Sequence, residues 1–298
     1  MSKNRQLHHN AIELGNILKK VPEIAKEVES LTFEGAPCFQ VRSYRALVRV
    51  VGFFKYKLKT NLLFRGQTQC FGAMKASLHR RNPPPSDKSV DAFLQRFRKF
   101  MDHDRSLVSK LSTEPLLQHY GLHTRWLDVV DSLPHALFFA CHDLCNSPAV
   151  PGKQTFMPTL RKFGFVYVLD IGKVHRVRRA GSQVVGYNRT SSGLHLADLR
   201  SLKPSTALRP HAQHGLLVRA SGSETDLWPH VVARIAVPTK EARAWIAGEA
   251  LTRESMFPPQ VWDDFYKKAQ SDRMKSFLAS EAGAGRNWGS VLVFDFSG

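Results

Sequence analysis

LLQHYGLHTRWLDVVDSLPHALFFAC, residues 116–141, divides into three pieces of different character. Residues 116–120 read as one helical turn, closed by Gly121. Residues 124–129 are short and extended. Ser132 is then placed to cap a second helix, and Pro134 falls in its first turn, where a missing N–H costs little. Leu133, Ala136, Leu137, Ala140, Cys141 and Leu144 repeat at helical spacing. Phe138 and Phe139 fill the remaining face, so this helix is expected to be buried on most sides.

Upstream, apolar positions in residues 10–29 keep helical spacing, and residues 43–58 read as a helix capped by Ser43. Residues 61–64 form a short apolar strand ending at Arg65-Gly66. NPPPSD, residues 82–87, is a break, followed by a long helix over residues 89–111 with Phe93, Phe97, Phe100 and Leu107 inward. Downstream, FGFVYVLD (163–170) is the clearest strand signal. Residues 172–193, basic and rich in Gly and Ser, predict an exposed loop or lid. Residues 215–220, 230–238 and 290–296 are further strands, and residues 239–247 and 262–278 further helices. Helices come first and strands dominate later, without steady β-α-β alternation. The expected class is therefore α+β, with an N-terminal helical part (1–60) packed on a domain covering 61–298.

The 298 residues hold 43 Lys and Arg against 25 Asp and Glu, a formal charge of +18. The excess is uneven: residues 150–220 carry 12 basic and 2 acidic side chains, whereas residues 114–149 carry 1 and 4. Such density predicts contact with a polyanion, most simply nucleic-acid phosphate; a solvated surface is the plainer alternative. No apolar run is long enough to cross a bilayer, and the first residues lack the apolar core of a secretion signal. Four cysteines (Cys38, Cys70, Cys141, Cys145) are too few for a disulfide framework, so reduced thiols and a cytoplasmic setting are expected.

LLFRGQ (62–67), the 116–141 run and LRPHAQHGLLV (208–218) stand in the order of the landmarks of the FRG family, which the chain resembles. That family is named for a Phe/Tyr-Arg-Gly tripeptide, here Phe64-Arg65-Gly66. The landmarks together reach from about residue 43 to 240. Val129 stands where the family usually has Trp, and Leu217 where it usually has Phe, which implies an altered pocket shape. The family's layout is similar to that of ADP-ribosyltransferases. The resemblance thus implies a split mixed or antiparallel sheet and a cleft that takes NAD as substrate. It also implies a place among bacterial toxins or phage-defence effectors, with an acidic antitoxin as a partner.

The site residues follow group by group. Arg65, at a strand end beside a glycine, can clamp a phosphate or carboxylate in two-point geometry, or form a structural salt bridge to Asp128. Gln67 can donate to the same ligand. His119, Tyr120, His123, Thr124, Arg125 and Asp128 crowd into ten residues. Arg125 and Asp128 suggest a buried ion pair that positions a ligand. His119 is a candidate base or a satisfied core histidine. Arg209, Gln213 and Gly215 form the third group, Gly215 permitting close approach of a ligand. Gln213 falls near the position where the transferases carry an acid, and Asp128 or Glu224 would have to supply that charge. Catalysis is thus assigned to Arg65, Asp128, Gln213 and His119. Cofactor contacts fall to Arg65, Gln67, Tyr120, Thr124, Arg125, Arg209 and Gly215. Lys173, Arg176, Arg178, Arg179 and Arg189 are assigned to nucleic acid. His119 with His123, and Cys141 with His142 and Cys145, lack paired metal-ligand spacing, so no metal is expected. Two rivals remain: a non-catalytic nucleotide or nucleic-acid sensor, and a nuclease using Asp128 and a histidine.

Overall fold

The computed structural model describes residues 5–18, 22–33, 35–101, 111–148, 153–179, 182–202, 207–221, 225–284 and 288. The side chains of Arg178 and Arg179 lie outside the described set, as do residue 224 and the expected strand at 290–296.

FGFVYVLD forms β7 (Phe163–Asp170), the inner strand on which the rest is organised. Antiparallel to it on one side runs β3 (Leu62–Gln67), and on the other β12 (Val231–Pro238). β12 pairs in parallel with β2 (Ala36–Val41), which closes a hairpin with β1 (Val28–Phe33). The first sheet therefore runs β1-β2-β12-β7-β3. A second, antiparallel sheet runs β4-β11-β10-β9-β8, from β4 (Leu127–Val129) and β11 (Leu216–Ala220) through β10 (Leu194–Asp198) and β9 (Ser182–Thr190) to β8 (Val174–Arg179). A hairpin of β5 (His142–Asn146) and β6 (Gln154–Pro158) stands apart.

β7 is apolar from Phe163 to Leu169 because both faces are covered. Phe165, Tyr167 and Leu169 pack with Leu127, Val129, Leu196 and Val218 between the two sheets. Val166 and Val168 face the helical layer with Phe64, Leu137 and Phe138. The Leu133–Cys141 helix lies almost in contact with the first sheet. A Cβ on Gly66 would sit 1.8 Å from the Ala136 carbonyl oxygen, and one on Gly164 2.0 Å from that of Ala140. The glycine after Arg65 is thus required by helix–sheet packing.

The α+β class holds, with three local differences. Residues 28–41, expected within a helical N-terminal part, supply two strands of the first sheet, because β2 is buried on both faces, Ala36 and Cys38 in one core and Phe39 and Val41 in the other. The expected loop at 172–193 is the β8–β9 hairpin, whose basic residues form an edge ladder. The helix expected over 262–278 is broken into Asp264–Ala269 and Asp272–Gly283, each capped by its own side chain, Asp263 and Ser271. Among the described residues no helix is long and apolar enough to cross a membrane.

Candidate functional site

The two sheets touch edge to edge at one place. Phe64 N–H donates to the Val130 carbonyl and Val130 N–H to that of Phe64, both at 2.8 Å, as an isolated antiparallel bridge between β3 and the residue after β4. A cavity of about 420 Å³ opens beside the bridge, where Arg65 and Asp128 diverge. His119, at the end of the Thr113–His119 helix, and Gln213, just after the Leu208–Ala212 helix, complete its polar side. Arg65, Asp128, His119 and Gln213, remote in sequence, line one cavity.

Each is held by a neighbour. Arg65 Nη1 donates to the Asp128 main-chain carbonyl at 2.6 Å, and its Nε is enclosed with no hydrogen-bond partner. Burial lowers the Arg65 pKa and nearby Arg80 lowers it further, against the opposing field of Asp128. Arg80 lines the same cavity. Two guanidiniums therefore face a space whose lining holds one carboxylate, an arrangement that favours an anionic guest.

Gln213 donates through Nε2 to the Met256 carbonyl at 3.0 Å, which turns its Oε1 toward His119 Nδ1 at 3.2 Å. That oxygen only accepts, so Nδ1 carries the proton and Nε2 presents a lone pair. His119 Nε2 lies 3.6 Å from Asp128 Oδ1, and neither atom has a hydrogen-bond partner. Burial pushes the His119 pKa down, keeping it neutral, while Asp128 pulls the other way. Two facing acceptors form a seat for one proton. Asp128 Oδ2 is held at 2.7 Å by Gln118 Nε2, and Gln118 Oε1 accepts from Thr124 Oγ1, also at 2.7 Å. The opposite wall is apolar: Phe139, Phe156 and Phe257 contribute rings, the last two stacked with centroids 4.5 Å apart.

Residues 60–148 match the family model of the FRG domain. The chain carries an FRG domain. No curated protein and no solved structure matches the chain. The FRG segment supplies Arg65, Gly66, His119 and Asp128, whereas Gln213 and Phe257 reach the cavity from beyond it.

Several residues expected at the FRG cavity stand elsewhere. Arg125 turns away from Asp128 and binds Glu114 at 2.8 Å, Asp91 at 2.9 Å and Asp87 at 3.0 Å, because three carboxylates from neighbouring segments outcompete one. Thr124 is buried and acts only through Gln118. Tyr120 is fully buried, its hydroxyl donating to Asp263 at 2.6 Å. Arg209 is enclosed between Tyr120 and Tyr266, 4.7 and 4.3 Å from their ring centres, and donates to the His119 carbonyl at 3.0 Å. It supports His119 from behind. Gln67 lines a separate cavity, which shares Arg80 with this one. Gly215 serves the histidine, since a Cβ there would come within 2.7 Å of the His119 ring. His123 does line the cavity, its N–H bound to the Trp288 carbonyl at 2.8 Å. Cys145 lies on β5, off the helix that ends at Cys141. Lys173, Arg176 and Arg189 are exposed on the β8–β9 hairpin.

Gln118, Arg80 and the phenylalanine wall were missed as site residues. Gln118 precedes His119 in the same run, but nothing local shows that its amide would reach a carboxylate ten positions on.

Gly215→Ala is expected to displace the His119 ring and cost about 1–3 kcal/mol as overpacking. Chemical denaturation measures it. A second expectation concerns pH. Burial holds His119 below its ordinary pKa, and likewise His135 and His195, both at about 4. The unfolded chain takes up protons first, near pH 6.5. Through these histidines stability should be level from about pH 8 down to about 6.5 and fall continuously from about 6.5 toward 4. Thermal midpoints across that range would show it, and a midpoint unchanged from pH 7 to 5 would contradict it.

Proposed function

We propose that the cavity binds NAD and that the protein is an ADP-ribosyltransferase-like enzyme. The observation that carries this reading is the convergence of Arg65, Asp128 and His119 on one cavity faced by an aromatic wall. Arg65 and Arg80 suit the phosphates, the phenylalanine wall suits the flat nicotinamide ring, and Asp128 suits the ribose. The two sheets, packed face to face and bridged edge to edge at Phe64 and Val130, are compatible with the split-sheet layout of those transferases.

The chemistry would run as follows. The C1′–N bond of NAD breaks, and its electron pair leaves with neutral nicotinamide. The Asp128 carboxylate stabilises the cation developing on the ribose. An acceptor oxygen or nitrogen bonds to C1′, and its proton is taken into the His119–Asp128 seat. Neutral His119 is in the protonation state that this role needs.

Incubation with labelled NAD and DNA, RNA or protein tests the proposal. Arg65→Ala is expected to lower label transfer by about 100-fold or more, with the fold retained. Protein that neither binds nor consumes NAD would overturn the reading.

A second reading, a nucleotide-binding sensor without catalysis, is favoured by Gln213. That residue is a neutral amide engaged with His119 and Met256 where the transferases carry an acid. NAD bound but left intact would favour it. A nuclease is less well supported, because Asp128 is the lone carboxylate among the cavity-lining residues.

A further inference from the structure

One face of the second sheet packs against the first through Leu194, Leu196, Leu216 and Val218. The alternate residues point the other way. Register places His175 on β8 opposite Arg189 on β9, Arg189 opposite His195 on β10, and His195 opposite Arg219 on β11. Four adjacent strands thus carry an unbroken row of arginine and histidine on one face. With strands about 4.8 Å apart, the row is about 14 Å long. Arginines and imidazoles set side by side across strands repel when protonated and offer each other no counter-charge.

The nearby acids do not relieve it. Among the described residues Arg189 and His175 have no acidic partner, and both are exposed. Arg219 lies 3.7 Å from Glu114, which Arg125 already holds at 2.8 Å. The row ends at a polar cavity of about 510 Å³ lined by His195, Arg219, Arg125, His79 and Asp87, the last paired with Arg125 at 3.0 Å. One 3-10 turn, Ser77–Arg80, separates that cavity from the cleft: Ser77 and Arg80 face the cleft, and His79 faces the row's end.

We propose that this row binds the sugar–phosphate backbone of a nucleic-acid strand and delivers it to the cavity beside the cleft. A length of about 14 Å exceeds a single phosphate and spans about four nucleotides of a stacked strand. Cationic contacts to phosphate carry no sequence information, so binding through the row should depend on phosphate and salt rather than on sequence. That the strand is also the acceptor rests on the transferase reading above; the binding surface does not.

Fluorescence anisotropy with labelled single-stranded DNA, single-stranded RNA and duplex DNA tests the surface. The variant Arg189→Gln/Arg219→Gln should bind at least about tenfold more weakly near 0.1 M salt. Its log–log salt slope should be shallower by about 0.7–0.9 per arginine. Lys267→Gln, exposed on the Asp264–Ala269 helix and outside the second sheet, should change affinity less than about twofold. Row variants that bind like the unaltered protein would overturn the inference, as would binding to phosphatidylserine vesicles without binding to nucleic acid. Arg65→Ala should leave nucleic-acid affinity unchanged, so failure of the cleft reading and failure of this one are read separately.

Discussion

If the cavity works as the proposed transferase site, Asp128→Asn is expected to reduce ADP-ribosyl transfer by about 100- to 1000-fold while leaving the protein as stable as before. The two halves of this expectation have separate causes. Asparagine keeps the shape of aspartate, and its amide oxygen can still accept from Gln118 Nε2, now 2.7 Å from Oδ2. Its amide nitrogen would face the lone pair of His119 Nε2, which lies 3.6 Å from Oδ1 without a partner. Exchanging two facing acceptors for a donor and an acceptor should hold or raise the thermal midpoint. The negative charge is lost, however, and with it the group that would stabilise the ribosyl cation. The seat for the acceptor proton is lost too. A purely structural Asp128 would give the opposite pattern, with activity following stability. Transfer that stays within a few-fold of the unaltered protein would sink the assignment of Asp128.

Gly66→Ala is expected to prevent folding, or to cost about 5 kcal/mol or more. The new Cβ would lie 1.8 Å from the Ala136 carbonyl oxygen and 2.7 Å from the Ala140 amide nitrogen. Both are backbone atoms of the Leu133–Cys141 helix, so no rotamer change can relieve the overlap. The helix would have to lift from the sheet, opening the layer that holds Leu137 and Phe138. Gly164→Ala, whose Cβ would lie 2.0 Å from the Ala140 oxygen, should fail in the same way. Gly52 gives the contrast. It sits within the Tyr44–Leu58 helix with nothing within 4 Å of an added Cβ. Gly52→Ala should therefore stabilise by about 0.5–1 kcal/mol, since alanine loses less entropy in a helix. Denaturant midpoints of the three variants check the set, and a Gly66→Ala protein of ordinary stability would refute the packing argument.

Much of the fold was legible because burial leaves periodic traces. FGFVYVLD announced an inner strand, and the run from Leu133 to Cys141 announced a helix covered on nearly every side. The β8–β9 hairpin was not legible. Its strands, VHRVRR and SQVVGYNRT, carry no regular apolar alternation, so the pairing is visible only in the ladder itself. The cavity was half legible. Arg65, His119, Asp128 and Gln213 were named from residue type and family resemblance, and the structure brings them together. Arg125, Thr124, Tyr120 and Arg209 have the same chemical qualifications and serve as support instead.

The amino-acid order by itself determined the elements whose burial is periodic, such as the 163–170 strand and the 133–141 helix, because hydrophobic burial acts at periods of two and 3.6 residues. Only the tertiary structure decided which charges meet. Arg125 found Asp87 and Asp91, 38 and 34 positions away, and not Asp128 three positions on. Strand register, in turn, set His175, Arg189, His195 and Arg219 in one line. Coulomb attraction and hydrogen bonding depend on distance through space, which has no period along the chain.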